Sequence, residues 1–289
     1  MVSIIIPAHN EESVIARNLK ALTQGAAPGE IEVIVVCNGC TDRTARIARG
    51  FGEPVKVIEI EVCSKVAALN AGDAVAGGFP RFYIDADVVM DLESVRRMAA
   101  ALERGEGLVA WPEPRTDLSR ASWPVRAYYA VWRELPYNNH GGKVGAGAYA
   151  LSREGRSRFG AFPDVINDDG FVRYRFEPAE RITVPGACSI VEAPRTLASL
   201  VRVKTRVRVG QFQLRDRFPG SPVADRKSPK ALLTSLLRRP RLWPCLPLYA
   251  GITLLVRSRA RRLCARAQFH EWGRDESTRG SLVGVNVES

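Results

Sequence analysis

Residues 2–7 read Val2-Ser3-Ile4-Ile5-Ile6-Pro7, a β-branched and almost entirely apolar run that a proline ends. A run of this length and composition predicts a strand buried on both faces, as in a parallel sheet. Apolar residues at helical spacing follow it at Val14, Ile15, Leu19 and Leu22. This part of the chain therefore predicts a β-strand followed by a helix that packs on the sheet.

The same alternation of strand and helix continues to about residue 105. Further strands are predicted at 32–36, 55–60 and 81–84, and the helices that follow them at 41–51, 64–76 and 92–102. Such alternation predicts an α/β fold in which helices flank a mostly parallel, Rossmann-like sheet.

Polar segments stand at the predicted carboxyl ends of these strands, where open α/β sheets bind their ligands. We therefore expect them to converge on one crevice. The four segments are Pro7–Glu12, Cys37–Asp42, Cys63–Lys65 and Asp85–Asp87.

Composition and charge place limits on partners. The chain has 289 residues, 46% of them hydrophobic and 25% charged, and a formal net charge of +11. No Asp or Glu occurs between Asp225 and Glu271, an interval that contains 11 of the 42 Lys and Arg residues. The other 31 balance the 31 acidic residues. Nucleic acid is therefore not the expected partner of the globular part, because the excess charge lies in one C-terminal segment.

An uncharged run, Leu242–Val256, lies inside that basic segment and contains Pro244 and Pro247. Its fifteen residues fall short of the roughly 20 that a helical bilayer span needs. Three interpretations stay open: a span, an interfacial helix or hairpin on anionic lipid, and a core helix with a basic flank. The interfacial interpretation is favoured, so we expect residues 226–266 to contact an anionic membrane surface.

The cysteines and the N-terminal segment indicate a compartment. Six cysteines without disulfide spacing, and no signal peptide, predict a cytoplasmic protein with reduced thiols. The pair Cys37 and Cys40 has no second Cys/His pair at zinc spacing, so it predicts a turn rather than a metal or redox site.

Two acidic motifs contain residue types that can bind a metal ion or accept a proton. Asp85 and Asp87, two apart at a strand end, can share Mg²⁺ or Mn²⁺ and so neutralise a diphosphate leaving group. Asp168 and Asp169 lie together before a helical stretch. One buried carboxylate beside another can have a raised pKa and act as a base, although a helix N-cap is the alternative interpretation.

Four segments in this order resemble family 2 glycosyltransferases over about residues 1–215. They are residues 2–12, 32–44, 65–72 and 82–87, which include Pro7-Ala8-His9-Asn10-Glu11, Asn38-Gly39-Cys40-Thr41-Asp42 and Asp85-Ala86-Asp87. The resemblance implies a GT-A fold and an inverting enzyme that uses a nucleoside-diphosphate-sugar donor. Cys37 departs from the acidic residue that many relatives carry.

The resemblance also implies roles for individual residues. It places the metal on Asp87 and Asp85, the general base on Asp169 with Asp168 as the alternative, and the acceptor loop at Gly145, Ala146 and Gly147. The residues implied in donor nucleotide binding are Pro7, Ala8, Asn10, Glu11, Asn38, Asp42, Lys65, Asp85 and Arg206.

The implied function is transfer of one sugar to a hydroxyl acceptor, glycan or lipid-linked, in cell-envelope, polysaccharide or glycolipid synthesis. Processive members carry Gln-x-x-Arg-Trp where this chain has Val203 and Val207 around Arg206, which favours single-sugar transfer. The alternatives are a non-catalytic nucleotide-sugar-binding or membrane scaffold protein and a sugar nucleotidyltransferase.

The expected organisation is a catalytic domain at 1–217, followed by a basic extension at 218–289. Within the domain, residues 1–105 form the nucleotide-sugar half and residues 106–217 the acceptor half. We expect the protein to be peripheral on the cytoplasmic face of a membrane.

Overall fold

The computed structural model describes residues 1–135, 147–219 and 239–265. The described strands form one eight-stranded sheet in the order β3-β2-β1-β4-β7-β6-β8-β5. The strands are β1 Val2–Ala8, β2 Ile31–Asn38, β3 Val55–Ile60, β4 Arg81–Ile84, β5 Val88–Met90, β6 Val109–Asp117, β7 Ala148–Leu151 and β8 Arg181–Glu192.

Strands β3, β2, β1 and β4 are all parallel, which confirms the predicted β-α-β alternation. The second half of the sheet is mixed. β7 pairs antiparallel with β4 and with β6, whereas β8 pairs parallel with β6 and antiparallel with β5. Because β1, β2 and β4 are parallel neighbours, their carboxyl ends meet at one edge, as the sequence predicts.

Helices flank this sheet. They are α1 Ile15–Thr23, α2 Thr44–Arg49, α3 Lys65–Val75, α4 Leu92–Glu103, α5 Trp123–Arg133, α6 Arg153–Ser157, α7 Asp168–Arg173, α8 Leu197–Arg217 and α9 Leu246–Ala265. A short 3₁₀ turn at Pro240–Cys245 precedes α9. In the residues described, no helix is both long and apolar enough to cross a bilayer.

Close packing sets the position of α3, the helix whose first residue is Lys65. A Cβ atom on Gly72 would lie 2.6 Å from Cγ2 of Ile5, so a glycine lets α3 approach β1 closely. Ser64 caps the helix by accepting a hydrogen bond from the Ala67 N–H at 3.2 Å. The start of α3 is thereby held beside the carboxyl end of β1.

An apolar cluster joins α5, α8 and α9 away from the sheet. Val125 and Tyr128 of α5 pack there with Leu200 of α8 and with Ile252 and Val256 of α9. The described part of the C-terminal extension is therefore docked on the domain through one face of α9. The division at residue 217 stays a prediction.

Candidate functional site

The loops that follow β1 and β2 are tied together by short polar contacts. Oδ1 of Asn10 accepts a hydrogen bond from the Thr41 N–H at 2.7 Å. The Glu11 N–H donates to Oγ1 of Thr44 at 2.7 Å, and that hydroxyl donates to Oδ1 of Asp42 at 2.6 Å. Asn10 has a positive φ of 51°, a conformation that asparagine tolerates better than most residues. The predicted nucleoside loops thus form one connected rim.

Cys37 and Asn38 lie beneath this rim. Cys37 is 1% exposed and belongs to the core under the sheet. Asn38 is 2% exposed, and its amide links the Ala8 carbonyl, 2.8 Å away, to the Ser64 N–H, 3.2 Å away. Asn38 therefore ties the end of β1 to the start of α3, while its part in nucleoside binding stays a prediction.

Lys65 lies at the centre of the site. Its Nζ atom is 2.6 Å from Oδ1 of Asp85 and 2.8 Å from Oδ1 of Asp168. Burial alone would lower the pKa of this ammonium group, but the two carboxylates offset burial and raise it. One half-buried cation therefore joins the strand-end motif at residue 85 to the acidic pair, which lies 103 residues from Lys65 along the chain.

The backbone around Asp85 is held from two sides. The Asp85 N–H donates to the Gly147 carbonyl at 2.7 Å. Nδ2 of Asn18 donates to the carbonyls of Asp85 and Ala86 at 3.2 and 3.3 Å. Both partners contact main-chain atoms, so these hydrogen bonds fix the backbone that carries the Asp85 carboxylate.

The donor chemistry of Asp85 and Asp87 fits a hard divalent cation. Both offer carboxylate oxygens, and burial raises the pKa of Asp85 although Lys65 opposes the shift. No cluster of three or more His, Cys, Asp or Glu with metal-binding geometry occurs in the part of the chain that the structure describes. Mg²⁺ and Mn²⁺ commonly use one or two carboxylates and complete their shell with water and substrate phosphates. The residues therefore fit a cation that arrives with a diphosphate.

The two carboxylates of the acidic pair have different surroundings. Asp168 is 4% exposed, and it accepts from Lys65 and, at 3.5 Å, from the hydroxyl of Tyr149. Asp169 is half-buried, and its Oδ1 accepts from the Gly170 N–H at 2.7 Å. Loss of hydration raises the pKa of Asp169 to about 6, and the charge of Asp168 adds to that shift. Lys65 therefore contacts Asp168, and the assignment of the general base to Asp169 stays a prediction.

The predicted acceptor loop is only partly described. Gly145 and Ala146 lie outside the described residues, whereas Gly147 has a φ of +60° just before β7. A Cβ atom there would lie 2.7 Å from Cγ2 of Val88 and 2.9 Å from Oδ2 of Asp85. The start of β7 therefore approaches the strand-end carboxylate as closely as only glycine allows.

Arg206 lies half-buried on α8, one turn before Gly210 on the same face. Gly210 is where α8 meets the loop before α7, because a Cβ atom there would lie 2.9 Å from Cβ of Asn167. This places Arg206 on the side of α8 that faces the acidic pair. A contact between Arg206 and the donor stays a prediction.

Sequence reasoning missed Asn18 and Tyr149. A signal for Asn18 was available, since it falls on the apolar face of α1 between Val14 and Leu22 and is fully buried. A polar side chain in such a place needs a partner. Tyr149 had no comparable signal, because its hydroxyl meets Asp168 only through the pairing of β7 with β4.

Comparison with known proteins gives a sequence family and a set of similar folds. The family model described as "Glycosyl transferase family 2" matches residues 3–178. A probable glycosyltransferase of Bacillus subtilis (strain 168) is 34% identical over 113 residues, which cover 36% of this chain and 27% of that protein. The 4,4'-diaponeurosporenoate glycosyltransferase of Staphylococcus aureus (strain USA300) is 47% identical over 53 residues, 18% of this chain and 14% of the other. The matches thus span about a quarter or less of these relatives.

Two solved structures share the fold. A mannosyltransferase from Pyrobaculum calidifontis, in complex with GDP-Man and Mn²⁺, superposes with a TM-score of 0.59 at 22% identity, covering 96% of this chain and 83% of that one. Glucosyl-3-phosphoglycerate synthase from Mycobacterium tuberculosis, in complex with Mn²⁺ and UDP-glucose, has a TM-score of 0.54 at 22% identity and coverages of 78% and 80%. These similarities confirm the expected GT-A fold.

Proposed function

Because the chain belongs to glycosyl transferase family 2, we propose that it transfers a single sugar from a nucleoside-diphosphate-sugar to a hydroxyl group, with inversion at the anomeric carbon. The observation that carries the proposal is the double contact of Lys65 with Asp85 and Asp168, at 2.6 and 2.8 Å. It supports a single crevice in which the strand-end carboxylates meet the diphosphate and the acidic pair meets the acceptor.

In this mechanism Asp169 accepts the proton of the acceptor hydroxyl. The oxygen then forms a bond to the anomeric carbon while the bond from that carbon to the diphosphate oxygen breaks, and the nucleoside diphosphate leaves with the electron pair. One displacement from the opposite face inverts the centre. Asp168, held by Lys65 and Tyr149, adds to the raised pKa of Asp169 through its charge.

The leaving group requires positive charge near Asp85 and Asp87. Mn²⁺ or Mg²⁺ held by these carboxylates would supply it by neutralising the departing diphosphate. The Lys65 ammonium group, already beside Asp85, is placed to offset part of the same charge. Positioning of the two substrates and electrostatic stabilisation of the leaving-group charge should provide most of the rate acceleration.

We infer further that the hydroxyl acceptor is a glycan or is lipid-linked, and that the transfer serves cell-envelope, polysaccharide or glycolipid synthesis. Such an acceptor suits a cytoplasmic enzyme that is peripheral on a membrane through residues 226–266. Residues 239–265 of that segment are described and are docked beside α5 and α8.

Donor binding is the first test. We expect Mn²⁺ with UDP, GDP or the corresponding sugar nucleotide to raise the melting temperature in a thermal-shift screen. A ligand at a hundred times its Kd stabilises by about 2.7 kcal/mol, a shift of several degrees for a chain of this size. Nucleoside monophosphates and samples with EDTA are the controls. Equal shifts with and without the metal would contradict the metal-dependent diphosphate site.

A pH profile tests the base. Because Asp169 must be ionised to accept a proton and burial raises its pKa to about 6, we expect sugar transfer or donor hydrolysis to be at a plateau near neutral pH. Activity should fall about tenfold for each pH unit below that pKa, as the group becomes protonated. Circular dichroism across the same range checks that the fold persists. Activity that stays level from pH 7 to about pH 4.5 would rule out a base of this pKa.

A further inference from the structure

Helix α9 (Leu246–Ala265) is apolar on two faces, and only one of them is covered in the part of the chain that is described. Ile252, Val256 and Ala260 recur every four residues and are buried, the first two against α5 and α8. Leu254 is 64% exposed and Leu255 is 44% exposed. These two leucines therefore point away from the domain and expose apolar surface to water, a feature typical of interaction sites.

Arginines surround the exposed leucines. Arg257 and Arg261 lie three and seven residues after Leu254, so all three share the face opposite the buried row. Arg259 and Arg262 lie four and seven residues after Leu255 and occupy the adjoining flank. All four arginines are exposed. The result is an apolar strip bordered by cations.

The turn before α9 continues this surface. Trp243 is 50% exposed, and Arg241, two residues before it, is also exposed. Arg239 forms an ion pair with Glu134, the residue that follows α5, and this pair holds the turn against the domain. Residues 239–265 contain no Asp or Glu, so no carboxylate within the segment neutralises its arginines.

The charge and the apolar content of this surface together indicate the class of partner that it binds. An anionic bilayer offers phosphate groups to the guanidinium groups and an acyl boundary to leucine and tryptophan. A nucleic acid backbone would leave Leu254 and Leu255 in water. A symmetric contact with a second copy would oppose arginine to arginine, since a twofold interface presents the same patch on both sides.

We propose that the outer face of α9 and its preceding turn dock the folded domain on an anionic lipid bilayer. Ile252 and Val256 remain packed on α5 and α8 during docking, so the helix lies on the membrane surface as part of a rigid domain. This surface deepens the membrane contact proposed above for residues 226–266 and rests on it, whereas docking does not depend on the catalytic residues.

Vesicle sedimentation with the full chain tests the proposal. We expect binding to vesicles of phosphatidylcholine and phosphatidylglycerol, little binding to phosphatidylcholine alone, and a loss of binding at high salt. Each arginine near an anionic surface contributes about fivefold in partitioning, equivalent to about 1 kcal/mol, so Arg257→Gln with Arg261→Gln should weaken binding about 25-fold. Adding Leu254→Asp should abolish most of the vesicle binding that the two arginine substitutions leave.

The matched control is Val75→Asp, which adds the same charge at an apolar position that is 56% exposed at the end of α3. It should leave vesicle binding unchanged, and circular dichroism should show all variants folded. Equal binding by Leu254→Asp, or equal binding to neutral vesicles, would overturn the proposal. So would a dimer in size-exclusion chromatography that Leu254→Asp dissociates while vesicles are not bound, because the face would then belong to a protein contact. Donor hydrolysis without vesicles is the independent readout, and it should be the same in every variant.

Discussion

Asp169→Asn is expected to reduce sugar transfer by about 10²- to 10⁴-fold, the range over which general bases contribute. The amide keeps the size of the side chain but cannot accept the proton of the acceptor hydroxyl. Donor affinity should be preserved, because the contacts of Lys65 run to Asp85 and Asp168 and not to Asp169. Turnover with a saturating donor and a thermal shift with the same donor measure the two effects separately.

Asp168→Asn is the matched comparison for this experiment. Asp168 is buried and bonded to Lys65, so its loss should weaken the site itself and lower the melting temperature. Removal of its charge should also lower the pKa of Asp169 and move the acid limb of the pH profile to lower pH. If Asp169→Asn instead lost donor binding while the residual turnover stayed normal, Asp169 would be a binding residue and not the base.

Asp87→Ala is the second large effect. We expect at least about a hundredfold loss of donor turnover, since metal neutralisation of a leaving group is worth several kcal/mol in the transition state. The response to Mn²⁺ in the thermal-shift assay should disappear together with activity. Undiminished activity, or an unchanged Mn²⁺ titration, would remove Asp87 from the metal site.

Asp91→Ala provides the control, because it removes a carboxylate only four residues away. Asp91 caps α4 by accepting from the Ser94 N–H at 2.7 Å, so its loss should cost about 1 kcal/mol of stability. Its Mn²⁺ response should persist. The two variants thus separate loss of metal binding from loss of local structure.

The predictable elements of the fold are those whose signal is local. The boundaries at 55–60 and 81–84 agree with β3 and β4, because short β-branched runs between polar segments have few other folded forms. Strand β6 was missed because Pro112 and Pro114 lie inside it, where proline argues against a central strand. A register shift between Trp111 and Glu113 in its pairing with β8 accommodates them.

The candidate site likewise has a part that local sequence predicts and a part that depends on the fold. The carboxylates at residues 85, 87, 168 and 169 are predicted from their spacing and family resemblance, since metal and base chemistry require those residue types. That Lys65 bonds to Asp168 depends on the contact between α3 and α7. The pKa that distinguishes Asp169 arises from burial, which no local pattern reports.

The sequence by itself determined the parallel half of the sheet and the edge at which the polar loops gather. It also determined that the C-terminal segment is basic, and that the uncharged run inside it is too short and too interrupted by proline to be expected to span a bilayer. Only the tertiary structure decided that Cys37 and Asn38 are buried, that Lys65 joins the two acidic motifs, and that α9 packs one face on α5 and α8. The physical reason is the distance along the chain over which each kind of interaction acts. Strand and helix periodicity act between neighbouring residues, whereas burial, ion pairing and the choice of covered face depend on segments that meet only after the chain has folded.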